Sequence, residues 1–234
     1  MPAAGAEQVV EWLQRALERN PPALSEHESK RVLAAYGVPV VQEELARDAA
    51  EAVQAAERLG YPVAAKACSP NLMHKSDRGL VFLNLGDASA VKSAVTEITR
   101  AAGRTPLDGY VIQRMVGGKR EVIVGGTRDR LFGPCVMLGL GGILVEAVAD
   151  VTFRLAPVEE RDALEMVNEL RAQRIFGAFR GEPPVNREAL SRVLIAVGRM
   201  LVDHARIMQV DVNPLIFRGG EPVAVDALIT LTAD

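Results

Sequence analysis

The sequence is poor in aromatic rings and in cysteine, and carries little net charge. Phe, Trp and Tyr make up 4% of its 234 residues, too few for the stacking platforms that single-stranded nucleic acids use. The net charge is −3, whereas a nucleic-acid binder shows a basic excess. No apolar run approaches the roughly 20 residues that span a bilayer. The amphipathic start, MPAAGAEQVVEWLQRALERN, carries acids and lacks the apolar centre of a signal peptide. A cytoplasmic protein without nucleic-acid or membrane partners is therefore expected. The two cysteines, Cys68 and Cys135, lie in apolar runs and resemble small core residues, so neither a disulfide framework nor zinc ligation is expected. Neither G-x-x-x-x-G-K-[ST] nor G-x-G-x-x-G occurs, which removes the P-loop and the Rossmann fingerprint.

What is present is the balance of an ordinary globule, 49% hydrophobic and 24% charged, on a chain long enough to bury a core. Apolar spacing predicts a helix over 6–18 with Val10, Leu13 and Leu17 on one face. Ser25 with Glu28 reads as a capping box opening a helix that stops at Gly37. VPVV reads as a short strand, and Asp48 caps a helix that ends at Gly60. PVAAKA, GLVFLNL and YVIQRMV read as strands, with a helix near 88–102. REVIVGG, LFGPCVML and VTFRLAP follow as strands, then helix 158–170. Helix 187–203 is the strongest signal, with Leu190, Val193, Leu194, Val197, Met200 and Leu201 on one face. The chain closes with strands in ARIMQVDVNPLIF and PVAVDALI. The class is α+β, with short connections that make the sheet around 109–156 largely antiparallel. A joint is expected at Gly117 and Gly118, dividing a smaller lobe at 40–115 from a larger one at 116–234, on which helices 6–37 pack.

The C-terminal strands carry a geometric argument. Gly219-Gly220 suits a two-residue hairpin turn. Counting outward pairs Phe217 with Pro222, Leu215 with Ala224 and Asn213 with Asp226, and period-two alternation adds Asp211 to the face of that last pair. Few, hard oxygen ligands are what Mg²⁺ takes when phosphates complete its shell; the alternative is service to turn backbone. A bulge at Pro214 would spoil this register. Lys66 interrupts an apolar strand and must be paired, snorkel to water, or face a cleft and a phosphate. VIQRMV, the two glycines and Glu121 either present strand-edge groups to a planar base or form a plain strand and turn. GLGGILVE either brings backbone N–H groups to an anion or turns the chain. Residues 69–82, SPNLMHKSDRGLVF, join two strands through a loop bearing His74, one of only three histidines.

In this order, LSEHESKRVLAAYGVPV, PVAAKACSPNLMHKSD, YVIQRMVGGKREVIVGGTRDRLFGPCVMLGLGGILVE and DVNPL with VDALI resemble the ATP-grasp domain of the ADP-forming acyl-CoA synthetases, the family of the ADP-forming acetate–CoA ligases. The likeness covers nearly the whole chain. A more distant one, to the β subunit of succinyl-CoA synthetase, runs through the glycine pair before Glu121 and the NPL segment. The resemblance implies an ATP-grasp fold with nucleotide held between two lobes, and ATP/ADP and Mg²⁺ as cofactors. It implies phosphate contacts from Lys66, adenine contacts from Gln113, Arg114, Met115 and Val116, a nucleotide-binding role for Lys75, Gly79 and Glu121, and Mg²⁺ on Asn213 and Asp226 with Asp211. His74 would take a phosphoryl group from a histidine of a CoA-binding α part and pass it to ADP, as a neutral imidazole can. Asp77 would orient its ring. The chain would then be the β part of an acid–thiol ligase, partnered by an α subunit in an α2β2-like assembly or fused to it. The alternatives are a non-catalytic nucleotide-sensing or scaffold module, or the ATP-grasp region of a fused protein acetyltransferase. One position departs from the family's H-K-[ST]-D-x-G-G-V: Leu80 stands where a second glycine is usual, a change that bears on activity rather than fold.

Overall fold

The computed structural model describes residues 4–72, 78–141, 150–179 and 181–232. Its first half runs α1 (Ala4–Leu17), α2 (Glu26–Ala35), β1 (Glu43–Ala46), α3 (Ala49–Leu59), β2 (Val63–Cys68), β3 (Val81–Leu85), α4 (Ala88–Ala102) and β4 (Gly109–Arg114). The second half runs β5 (Glu121–Asp129), β6 (Gly133–Leu140), β7 (Val151–Leu155), α5 (Glu160–Glu169), α6 (Arg187–Asp203), β8 (Ile207–Arg218), β9 (Glu221–Ala224) and β10 (Ala227–Leu231). The chain forms two compact units. One is Ser25–His27 with Val41–Val116; the other is Met1–Leu24, Glu28–Val40 and Gly117–Asp234.

The first unit is a four-stranded antiparallel sheet, ordered β1-β4-β2-β3, with two helices. Small side chains set its geometry. Val63, Ala65 and Ala67 of β2, with Tyr110 and Ile112 of β4, share one apolar cluster with Ala52, Ala55 and Ala56 of α3 and Val91, Ala94, Val95 and Ile98 of α4. Each helix starts on an aspartate: Asp48 accepts from the N–H groups of Ala50 and Glu51, and Asp87 accepts from Ala90, all at 2.8 Å. The opposite face of the sheet carries Lys66, Gln113 and Glu43, because successive strand residues alternate sides.

The second unit is a six-stranded antiparallel sheet, β10-β8-β5-β6-β7 with β9 also on β8. All six apolar residues expected on one face of α6 are buried to 1% exposure or less. The helix lies close against β5 at Gly126, where an added Cβ would come within 2.8 Å of Val197. α2 ends with Val38 N–H bonded to Leu33 and Gly37 N–H to Ala34, Gly37 having φ 82°, the glycine stop its sequence announces.

Three local expectations need correction. The buried face of α1 is Val9, Leu13 and Ala16; Val10 points outward at 43% exposure and Leu17 is only half-buried. A face three and four residues apart can be drawn through either set, and the small Ala16 fits the closer approach. VPVV forms no strand. Val40 makes a single bridge to Ala224 and Pro39 offers only its carbonyl there, since proline has no N–H for a ladder. PVAVDALI divides into β9 and β10 around Val225 and Asp226.

The boundary between the units falls at Gly117, yet the two glycines there differ. A Cβ on Gly118 would lie 2.5 Å from the Phe217 carbonyl oxygen and 2.6 Å from Ile216, whereas one on Gly117 meets nothing within 4 Å. Gly118→Ala is therefore expected to destabilise by about 1–3 kcal/mol. Gly117→Ala should leave stability unchanged or raise it by about 0.4–1 kcal/mol. Urea unfolding of the two variants checks this, and equal effects would contradict it.

Candidate functional site

The turn at Gly219-Gly220 is a hairpin in the register its sequence dictates: Phe217 faces Pro222 and Leu215 faces Ala224. The pairing carries through the break between β9 and β10. Val225 N–H bonds to the Pro214 carbonyl at 3.1 Å, Asn213 N–H to that of Asp226 at 3.2 Å, and Ala227 then faces Val212. The irregularity foreseen at Pro214 is real but lies toward β5. There Val122 faces Leu215 while Val124 faces Val212, so β8 holds one residue more. This extra residue switches the strand's faces. Val210 and Val212 on one side of it and Leu215 and Phe217 on the other all point into the core. Asp211 stays half-buried and Asn213 exposed on the open side.

The Asp211 carboxyl is held above the usual carboxylate range, first by burial and then by the negative charge of Asp226. Among the described residues no group of three or more His, Cys, Asp or Glu gathers as a metal site. What the hairpin offers instead is two mutually repelling carboxylates and an amide oxygen. That set suits a hard divalent cation that takes the rest of its ligands elsewhere.

Lys66, on β2, is buried to 4% exposure and neither snorkels to water nor sits at a strand end. Its ammonium lies 2.7 Å from the carboxylate of Glu26, itself 1% exposed at the side chain. Next to it, His27 Nδ1 lies 2.8 Å from Glu43 on β1. Glu26, His27 and Glu43 were invisible to pattern reading, which saw in SEHE only the start of a helix. The one available signal was physical: a lysine inside an apolar strand requires an acid, without saying which. Glu28, expected in a capping box, takes both guanidinium arms of Arg19 at 2.6 and 2.8 Å.

β4 is an inner strand, not an edge. Gln113 is buried between Glu43 of β1 and Ala64 of β2, and the N–H groups of Arg114 and Met115 bond to Gln42 and Pro62. Val116 closes that unit. Glu121 opens β5, and its carbonyl accepts from Gly141 at 3.0 Å. Its neighbour Arg120 is buried. Arg120 donates to the carbonyls of Ile175, Gly177 and Pro183 and to the carboxylate of Glu182, tying the 175–183 segment to the start of β5. His74, Lys75 and Asp77 lie outside the described residues, as does most of GLGGILVE. Gly79 has φ 66°. Leu80 is fully buried in the alanine-rich core, and its carbonyl accepts from Ala67 at 3.0 Å. The residue that breaks the loop pattern is thus a core side chain anchoring the loop's end.

Comparison with known proteins gives a consistent picture. A family model described as an ATP-grasp domain matches residues 15–231. The chain is 42% identical over 225 residues to the β subunit of acetate–CoA ligase (ADP-forming) I of Pyrococcus furiosus, covering 94% of this chain and 97% of that one. It is also 42% identical to acetate–CoA ligase (ADP-forming) I of Archaeoglobus fulgidus, covering 82% of this chain but only 29% of that longer protein. An acetyl-coenzyme A synthetase of Ca. Korarchaeum cryptofilum, solved with coenzyme A and Ca-AMPCP, superposes with a TM-score of 0.90 at 39% identity over 95% of this chain and 99% of that one. In a further form, with coenzyme A and Mg-AMPPCP, its phosphohistidine segment points towards the nucleotide site; there the TM-score is 0.84 at 38% identity, over 96% and 100% of the two chains.

The crowding of Asp211 by Asp226 has a pH signature. A carboxyl whose pKa is raised by folding binds its proton more tightly folded than unfolded. Its contribution to stability therefore falls as pH rises from the ordinary value of about 3.9 through the raised one. Asp211→Asn should accordingly raise the melting temperature of the ligand-free protein near pH 7, an advantage that shrinks toward about pH 4. Calorimetric scans across that range check it, and a gain independent of pH would contradict it.

Proposed function

This chain belongs to the ATP-grasp family, with the β subunits of the ADP-forming acetate–CoA ligases, and we propose that it is the nucleotide-binding β part of such an acid–thiol ligase. The overall reaction is acyl-CoA + ADP + phosphate to carboxylic acid + CoA + ATP. The observation that carries the reading is the hairpin register. It sets Asn213 opposite Asp226, with Asp211 on the same open side, in a chain that matches an ADP-forming β subunit almost end to end.

Within this reading Asn213 and Asp226, with Asp211, hold Mg²⁺, which supplies charge neutralisation for the nucleotide phosphates. Lys66 is assigned to the phosphates as a charged donor, with Lys75 and Gly79 beside it in sequence. Gln113, Arg114, Met115 and Val116 are assigned to the adenine, and Glu121 to the nucleotide. His74 acts covalently. A lone pair of its neutral imidazole attacks the phosphorus of a phosphohistidine on the CoA-binding part, forming one P–N bond as the other breaks. A terminal oxygen of ADP then attacks that phosphorus, and the imidazole leaves neutral. Asp77 accepts a hydrogen bond from the second ring nitrogen and so fixes the attacking tautomer. A CoA-binding partner, separate or fused, is required, since acyl phosphate must be made elsewhere; the longer Archaeoglobus relative is in keeping with fusion. A cytoplasmic setting goes with this chemistry. Leu80 is the position behind the non-catalytic alternative, and its side chain is fully buried in the apolar core of its unit.

Calorimetry is expected to show Mg²⁺-dependent ADP binding by the chain, weakened about 10- to 100-fold in Lys66→Ala, the cost of a charge-assisted hydrogen bond. Supplied with a CoA-binding partner, acyl-CoA and phosphate, the chain should acquire an acid-labile phosphoryl group, and His74→Ala should not. Phosphoryl transfer undiminished in His74→Ala would remove the mechanism.

A further inference from the structure

Nothing assigned so far uses Glu26. Its carboxylate is 1% exposed at the side chain, it touches the Lys66 ammonium at 2.7 Å, and both groups are buried within one compact unit. The short segment bearing it, Ser25–His27, is counted with the lysine sheet although most of α2 is not. Its anchor is a second polar contact, His27 Nδ1 to Glu43 at 2.8 Å, with the Glu43 side chain 7% exposed. Glu43 is the β1 partner of Gln113, and Gln113 in turn faces Ala64, two residues before Lys66. Lys66, Gln113 and Glu43 thus share the sheet face opposite the alanine-packed helices, and Glu26 and His27 reach two of them, Lys66 and Glu43.

A buried ammonium on four flexible methylenes has two needs before it can serve an anion: a counter-charge, and something to select one rotamer. Glu26 supplies both. Its carboxylate accepts a hydrogen bond from the ammonium at 2.7 Å. We propose that Glu26 is a positioning residue that holds the Lys66 ammonium in place for the phosphates of the nucleotide, with His27 and Glu43 fixing the segment that presents it. This rests on the assignment of Lys66 to the phosphates. The competing role is purely structural, a buried pair that only stabilises the unit, and the two differ in how their effects combine.

The test is a cycle of Glu26→Gln, Lys66→Gln and the double variant, read by calorimetric titration with Mg-ADP, with melting temperatures recorded alongside. In the native background Glu26→Gln should weaken Mg-ADP binding about tenfold, because an amide oxygen does not balance the ammonium's charge and accepts from it more weakly than a carboxylate. In the Lys66→Gln background the same substitution should strengthen binding, because it removes a buried negative charge that no longer faces the ammonium and repels phosphate. Such a reversal of sign cannot come from stability alone. A Glu26→Gln effect equal in both backgrounds, or absent from the native one, overturns the inference while leaving the nucleotide function intact. A native chain that binds no Mg-ADP overturns both. Should Glu26→Gln fail to fold, Glu26→Asp, which keeps the charge but retracts it by one methylene, serves in its place: severalfold weaker binding supports the inference and unchanged binding overturns it.

Discussion

The second unit depends on how one strand is paired. β8 runs for 12 residues and bonds to β5 along one edge and to β9 and then β10 along the other. Along the β9–β10 edge the register never slips between Leu215 and Gln209, even across the corner at Asp226. Along the β5 edge one extra residue is taken up between Val122 and Val124. A strand with period two cannot change faces without such an insertion. The core needs Val210 and Val212 from before it and Leu215 and Phe217 from after it. Before the insertion Asp211 and Asn213 alternate with Val210 and Val212 and so share the open side, which ties their exposure to the packing of the core.

The two units handle buried charge in opposite ways. In the alanine-rich sheet Lys66 and Glu26 are matched, and removing one member of such a pair strands the other at a cost of about 3–5 kcal/mol. In the hairpin the Asp211 carboxyl has Asp226 as a like-charged neighbour, and the fold tolerates a carboxyl pushed above its normal range by burial and by that charge. The cores of both sheets are otherwise apolar.

Leu80 and Arg120 show how a departure or a gap in a motif acquires meaning from packing. Leu80 looks like a damaged glycine when the loop is compared with its family, and in the fold it is a fully buried anchor. Arg120 looks like an incidental charge beside Glu121. Folded, it collects three carbonyls and a carboxylate from a segment more than 50 residues on.

What the sequence determined by itself was local or countable. The helix stops at Gly37 and Gly60, the aspartate cap at Asp48 and the buried face of α6 follow from backbone preference and periodicity. The pairing of Asn213 with Asp226 follows from a two-residue turn and arithmetic, because hairpin register is set where the chain reverses. The order of motifs sufficed for the family. The failures came where two local answers were equally good, as with Val9 against Val10, or where a proline left a segment only one bonding edge, as in VPVV. Tertiary structure alone decided that β4 is an inner strand and that Lys66 answers to Glu26. Those facts depend on which strands neighbour one another and on which acid, 40 residues away along the chain, the fold brings to a buried ammonium. Charge pairing at that separation leaves no periodic trace, since its cause is the desolvation of a group whose burial exists only once the sheet is formed.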